Sequence, residues 1–359
     1  MTLIQSKDYP VFIGSDEPIE QQLNLNTYST VVVLVDNNTK KFCLPRLYKM
    51  FPKLQDSRLI EVPGGESYKN LETCSLIWKS LFDYKIDRKG LIINLGGGVI
   101  TDMGAFAAST FKRGIPFFQI PTTLLSMVDA SVGGKTGIDF EGAKNILGTF
   151  TSPLGVWIHS EFLETLSDSE MYSGFSEMVK HGLIQDRSLF EKLITPFPQI
   201  LQDKSALEAL IIESIKIKNQ IVLADPFEKG QRKLLNFGHT IGHALESQSF
   251  LGSHPLNHGQ AIAMGMVCES YLSNKKHLLP TLELNEVLIA LKKLFPHNTI
   301  REVDFDSIYS IMENDKKNIS GNINFTFLES IGKGLIDQTA SKEEIFESFK
   351  YFNSILDIS

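Results

Sequence analysis

The hydrophobic rhythm of the chain changes near residue 160. Before it, short β-branched runs alternate with stretches of helical period. Thr30-Val-Val-Val-Leu-Val35 ends at Asp36-Asn-Asn, Leu91-Ile-Ile-Asn-Leu95 ends at Gly96-Gly-Gly, and Phe117-Phe-Gln-Ile120 ends at Pro121-Thr-Thr. Runs that are continuously apolar rather than alternating predict strands of a parallel sheet covered on both faces. After about residue 160 the period is helical, for instance over residues 206–222 and 261–273. Pro196-Phe-Pro198 and Leu279-Pro280 punctuate these helices. The stretch beyond Ile331, with Ser341-Lys-Glu-Glu-Ile, reads as a terminal helix without chemistry. The pattern predicts an α/β N-terminal Rossmann-like parallel-sheet domain (1–160) followed by an all-α C-terminal domain (161–359). The cleft between two such domains is the expected site.

Composition narrows the class of protein without changing that picture. With 359 residues, 42% of them hydrophobic and 21% charged, the chain can bury a sizeable core. A net charge of −7 gives no basic footprint, so nucleic acid is not an expected partner. Cys43, Cys74 and Cys268 are odd in number and far apart, which argues against a disulfide framework or a cysteine zinc site. No apolar leader and no membrane-length apolar run is visible, so a soluble cytoplasmic protein is expected.

Four strand-end segments of the first half carry candidate chemistry. Gly96-Gly97-Gly98-Val-Ile-Thr-Asp102 follows a strand and opens a helix, where glycines and free N–H groups can receive a phosphate, although it is not the G-x-G-x-x-G fingerprint. Asp36 and Asn38 can hold a ribose or simply cap a helix. Pro63-Gly-Gly-Glu66-Ser-Tyr-Lys69 reads first as a loop and helix start. The densest segment is Pro121-Thr122-Thr123-Leu-Leu-Ser-Met-Val-Asp129-Ala-Ser-Val-Gly133-Gly134-Lys135-Thr136-Gly137. It lacks P-loop spacing, so nucleotide hydrolysis is rejected. With Lys144, Asn145 and Arg113 it points to a pocket for an anionic ligand.

The second half holds the metal candidates. Asn236-Phe-Gly-His239-Thr-Ile-Gly-His243 places two imidazoles one helical turn apart on one face. Glu177 and Lys180 also share a helix face, which by itself could be a surface ion pair. Glu177, His239 and His258 together offer one carboxylate and two imidazoles, a ligand set suited to catalytic zinc with an open position. His254 competes for the third place, and spacing alone does not decide.

The motifs from Gly96 to Lys144-Asn145, then Glu177-Met-Val-Lys180, Arg232-Lys-Leu-Leu-Asn236-Phe-Gly-His239-Thr-Ile-Gly-His243 and Asn257-His258-Gly259, stand in the order found in 3-dehydroquinate synthase, which the chain closely resembles over residues 30–335. The resemblance implies a dehydroquinate synthase-like fold with an NAD-binding α/β domain and a helical domain binding a divalent metal, zinc or cobalt. It implies conversion of 3-deoxy-D-arabino-heptulosonate 7-phosphate to 3-dehydroquinate and phosphate in the shikimate pathway. The steps are transient NAD-dependent oxidation at C5, β-elimination of phosphate, reduction and aldol closure. Metal ligands would be Glu177, His239 and His258. Cofactor contacts would be Asp36, Asn38, Glu66, Lys69, Gly97, Gly98, Asp102, Thr122, Thr123, Lys144 and Thr165. Catalytic roles fall to Lys135, Asn145, Lys180 and His243, and substrate contacts to Arg113, Asp129, Lys218, Arg232, Asn236 and a lysine of Asp315-Lys316-Lys317, taken as Lys316. A homodimer is implied as well. Other sugar phosphate cyclases and metal-dependent glycerol or alcohol dehydrogenases are the competing readings. Departures from the family's pattern are Gly142-Ala143 before Lys144 and a slightly long spacing from His239 to His258.

Overall fold

In the computed structural model the apolar runs of the first half become adjacent parallel strands. Residues 1–14, 23–141, 143–194, 199–295, 299–313 and 323–356 are described. The chain divides into two units, Met1–Ser167 and Asp168–Ser359, somewhat beyond the change of rhythm near residue 160.

The first unit runs β1 (Thr2–Gln5), β2 (Pro10–Ile13), β3 (Val31–Asp36), α1 (Asn37–Phe42), α2 (Leu44–Met50), β4 (Arg58–Val62), α3 (Leu71–Asp83), β5 (Leu91–Gly96), α4 (Gly98–Thr110), β6 (Phe117–Pro121), β7 (Lys135–Phe140), β8 (Ala143–Phe150) and β9 (Val156–Ile158). Seven strands form one sheet in the order β1-β2-β9-β6-β5-β3-β4. All neighbours in it are parallel except β1 with β2. Every residue of β5 and β6 is buried, because the apolar faces of α3 and α4 pack on the sheet through Ile77, Leu81, Ile100 and Met103. Gly104 permits that approach: a Cβ there would lie 2.1 Å from Asn94 Oδ1. Asn94 in turn donates to Gln119 Oε1, and Gln119 donates to the Thr101 carbonyl, tying β5, β6 and the first turn of α4 together inside the core.

The order β4-β3-β5-β6-β9 is the doubly wound arrangement in which the chain reverses direction across the sheet between β3 and β5. A crevice opens at the carboxyl ends of the strands flanking such a reversal, where ligands of these sheets bind. Here those ends are Asp36 and Gly96. β7 and β8 stand apart as an antiparallel hairpin. The Gly133-Gly134 pair (φ +117° and +66°) leads into β7, not into a helix, so the segment is not a P-loop.

The second unit comprises α5 (Asp168–Gln185), α6 (Arg187–Ile194), α7 (Lys204–Ala224), α8 (His239–Ser249), α9 (His258–Lys275), α10 (Thr281–Leu291), α11 (Phe305–Glu313), β10 (Phe325–Ser330), β11 (Lys333–Gln338) and α12 (Lys342–Leu356). It is helical, with one exception to the expected all-α pattern: β10 and β11 form an antiparallel hairpin. Phe325, Phe327 and Leu328 of that hairpin are buried, so its apolar run reads equally well as helix until its partner strand is known. No described helix is long and apolar enough to cross a membrane.

α9 is the centre of this unit, and its packing is set by glycines. A Cβ at Gly265 would lie 2.0 Å from the Gly238 carbonyl and 2.7 Å from Gly242 N, so α8 and α9 touch backbone to backbone. A Cβ at Gly259 would lie 2.2 Å from Ser173 Cα, so the start of α9 is pressed equally close to α5. These contacts explain why three helices can bring short side chains to one point.

Candidate active site

That point is occupied by histidines. His239 is the first residue of α8, His243 lies one turn on, and His258 is the first residue of α9. The ring centroids form a triangle with sides of 5.1, 5.5 and 5.7 Å, and a ligand nitrogen from each lies within 4.8 Å of the others. Glu177, fully buried on α5, places Oε1 3.6 Å from His239 Nε2 and 3.7 Å from His258 Nε2. His254 is exposed in the loop before α9 and is outside this cluster.

The backs of the His239 and His258 imidazoles are engaged. His239 Nδ1 lies 3.1 Å from the Phe237 carbonyl, and His258 Nδ1 lies 3.3 Å from Glu246 Oε2. An N–H at Nδ1 leaves the Nε2 lone pair facing Glu177, the tautomer in which metal-binding histidines are ordinarily held. The donor set therefore fits a divalent cation of borderline softness. Burial lowers the basicity of His258, but the Glu246 and Glu177 carboxylates outweigh it and push its pKa up to about 9.

Lys180, one turn beyond Glu177, forms an ion pair with it, and both side chains are buried. The pair is thus a core feature and not the surface pair its spacing allows. Removing one member of such a pair costs about 3–5 kcal/mol, because the other charge stays behind. Lys218 on α7 and Arg232 are also buried. Arg232 Nη1 donates to the Pro226 carbonyl at 2.7 Å. The loop that carries it is knotted by Asp225, whose carboxylate accepts N–H bonds from Lys229, Gly230 and Arg232. Burial pushes the Asp225 carboxyl up, yet those bonds prevail and hold it below its ordinary value. Asn236 donates to Glu228 Oε1 at 2.9 Å. Lys316 and its neighbours Asp315 and Lys317 lie outside the described residues.

In the first unit the predicted cofactor residues follow the carboxyl ends of parallel strands: Asp36 at β3, Glu66 and Lys69 after β4, Gly97, Gly98 and Asp102 after β5, Thr122 and Thr123 after β6, Thr165 after β9. Asp36 caps α1, accepting from Thr39 N at 2.7 Å, while Asn38 beside it is exposed. α4 begins with no side-chain cap, leaving first-turn N–H groups available to an anion. A Cβ at Gly97 would lie 2.9 Å from Thr123 Cγ2, so only glycine keeps this edge open.

Lys69 is the hub of the same edge. Its buried Nζ donates to Asp102 Oδ2 at 2.6 Å and to Asn145 Oδ1 at 2.7 Å. Burial alone would lower its pKa, but the Asp102, Glu66 and Asp139 carboxylates hold the ammonium protonated above its usual range. Lys144 Nζ reaches Glu66 Oε1 at 3.2 Å. Asn145 sits at φ +50°, and its N–H donates to Asp139 Oδ1 at 2.7 Å. Sequence reading missed Asp139, as it missed Glu228, Glu246 and Glu269. The alternation of β7 gives Asp139 no mark beyond that of an ordinary strand residue.

Asp129 lies in a π-helical turn, Ser126–Ala130, and Lys135 is exposed at the start of β7. Arg113 is placed differently. It is exposed at φ +65° beyond the carboxyl end of α4 and before the start of β6, at the opposite edge of the sheet. The 13 residues of α4 span about 20 Å. Within one chain the structure therefore does not bring Arg113 to the loops it was grouped with.

Two family models match in succession, 3-dehydroquinate synthase N-terminal over residues 59–173 and 3-dehydroquinate synthase C-terminal over residues 174–318. A 3-dehydroquinate synthase of Parabacteroides distasonis is 44% identical over 325 residues, covering 90% of this chain and 92% of the relative. One from a Sulfurovum species is 41% identical over 308 residues, covering 85% and 86%. Among solved structures, 2-epi-5-epi-valiolone synthase from Streptomyces hygroscopicus, with NAD+ and Zn2+ bound, shares the fold with a TM-score of 0.87 at 24% identity and 99% coverage of each chain. The histidine triangle and the glycine-edged sheet thus lie in a chain matched across both halves, and this chain belongs to the 3-dehydroquinate synthase family.

Proposed function

We propose that this protein is a 3-dehydroquinate synthase, turning 3-deoxy-D-arabino-heptulosonate 7-phosphate into 3-dehydroquinate and inorganic phosphate. The observation that carries the reading is the near full-length match to 3-dehydroquinate synthases at above 40% identity. The side-chain chemistry agrees with it. An uncharged glycerol or alcohol substrate would give no reason for buried Lys180, Lys218 and Arg232 in one unit, whereas a sugar acid phosphate does.

In this reading Glu177, His239 and His258 hold a zinc or cobalt ion, which when bound supplies Lewis acidity toward the substrate's alcohol oxygens. The strand-end residues from Asp36 to Thr165 would hold NAD, which would supply reversible hydride-accepting capacity for the C5 alcohol. The uncapped first turn of α4 would offer N–H groups to the pyrophosphate, and Asp36 at the sheet's reversal would offer a carboxylate oxygen to the ribose. Arg232 and Lys218 neutralise substrate charge, with the guanidinium able to grip two oxygens at once. Asn236, fixed by Glu228, orients a hydroxyl. His243 stands one turn from His239 and holds or passes the hydroxyl proton. Asn145 and Lys135 belong to the same proposal as catalytic residues. Cytoplasmic location and a homodimer belong to the same proposal.

Purified protein with NAD+, Zn2+ or Co2+ and the heptulosonate phosphate should release phosphate and form dehydroquinate in equal amounts. Absence of phosphate release, with turnover of sedoheptulose 7-phosphate or glycerol instead, would sink the assignment. A second expectation concerns Lys69. Lys69→Met leaves the Asp102 carboxylate without its cation, at a cost of about 3–5 kcal/mol. Thermal melting should detect that loss, and titration with NAD+ should show binding weakened by at least about tenfold. Unchanged NAD+ affinity would remove Lys69 from the cofactor site.

A further inference from the structure

α8 and α9 each begin with a proposed ligand, and each sends a buried carboxylate to the beginning of the other. Glu269, wholly buried on α9, accepts from Gly238 N at 2.6 Å through Oε2 and from Ile241 N at 3.2 Å through Oε1. It thereby caps the first turn of α8, whose own N-cap is Gly238 in the left-handed region (φ +77°) with no side chain to do so. Glu246, buried on α8, faces His258 Nδ1 at 3.3 Å, and His258 is the first residue of α9. A charged carboxylate in so dry a place is costly unless N–H groups satisfy it. Each carboxylate here finds them on the opposite helix.

We infer that Glu246 and Glu269 are positioning residues, a reciprocal clasp that sets the distance and rotation of His239 and His258 for metal binding. The glycine contacts bring α8 and α9 close, with Met266 and Ile262 of α9 seated against Gly238 and Gly242 of α8. Directional hydrogen bonds at both helix starts then orient the ligands carried there. Partners behind metal ligands commonly govern affinity by about 10- to 100-fold. His258 Nδ1 meets one oxygen of Glu246, Oε2, whereas Oε1 and Oε2 of Glu269 both accept from the first turn of α8. Glutamine can therefore replace Glu246 in part but not Glu269, where its NH2 would oppose an N–H.

The inference rests on the metal site proposed above, and Co2+ tests both separately. Chelator competition should give E246A a Co2+ affinity about 10- to 100-fold below that of the unaltered protein. E246Q should be less affected than E246A, while E269Q should be weakened as much as E246A. The visible cobalt spectrum should shift in E269Q, because the ligands themselves have moved. Far-UV circular dichroism and melting of the metal-free variants separate folding from positioning. Lowered melting temperatures with Co2+ affinity within twofold of the unaltered protein would overturn the clasp. If E269Q does not accumulate folded, the E246A and E246Q pair decides alone. Failure of the unaltered protein to bind Co2+, or retention of it by H239A, would instead overturn the metal site.

Discussion

His258→Ala is expected to leave a folded protein that no longer retains a divalent metal and releases phosphate at least about a thousandfold more slowly. Loss of an electrophilic metal removes several kcal/mol of transition-state stabilisation, and about 4 kcal/mol corresponds to that factor. His254→Ala should leave metal content and rate within about twofold, since His254 is exposed and outside the cluster. Metal analysis after gel filtration and the phosphate assay distinguish the two variants. Loss of metal in His254→Ala with retention in His258→Ala would move the third ligand. The pH dependence carries a sign of its own. Glu246 and Glu177 raise the His258 pKa from 6.5 to about 9 in the metal-free protein, against burial. The stability this contributes is fully present below pH 6.5 and is lost as pH rises through about 9. Metal uptake must displace the same proton, so affinity should climb with pH until about 9 and level off above it.

The sequence displayed the parts of this site that lie within a few residues of one another. Gly96-Gly97-Gly98 after an apolar run announced a strand, a turn and an anion-ready helix start, and β5 and α4 have that form. The histidine pair is also where its spacing put it, on one face of α8. What spacing conveys is which side chains share a face. It does not convey which faces meet. Glu269 caps a helix whose first turn begins some thirty residues earlier, and no local pattern separates it from an ordinary core-edge acid. Lys69 and Asn145 fall in different motifs, yet one hydrogen bond joins them. Arg113 shows the converse, because closeness in sequence to the Thr122 segment hid the length of β6 lying between them. The hairpin Phe325–Gln338 escaped a reading by period because its first strand is continuously buried through Phe325, Phe327 and Leu328 and shows no alternation.

The glycines of α8 and α9 are the least conspicuous part of the pattern, and Gly265→Ala should have the largest effect on the fold. Its new methyl would stand 2.0 Å from the Gly238 carbonyl oxygen and 2.7 Å from Gly242 N, both backbone atoms that no rotamer can move. The helices must separate, by an amount comparable to a van der Waals radius. Overpacking of this kind costs about 3 kcal/mol or more, although alanine's better helix propensity returns up to about 1 kcal/mol. Melting temperature should fall by several degrees. The same displacement would draw the start of α8 away from Glu269 and spread the imidazole triangle. Metal affinity should therefore fall together with stability, even in the fraction that remains folded. A Gly265→Ala protein that melts normally and binds Co2+ normally would show that α8 and α9 have room to spare. The glycine pattern would then have no part in placing the histidines.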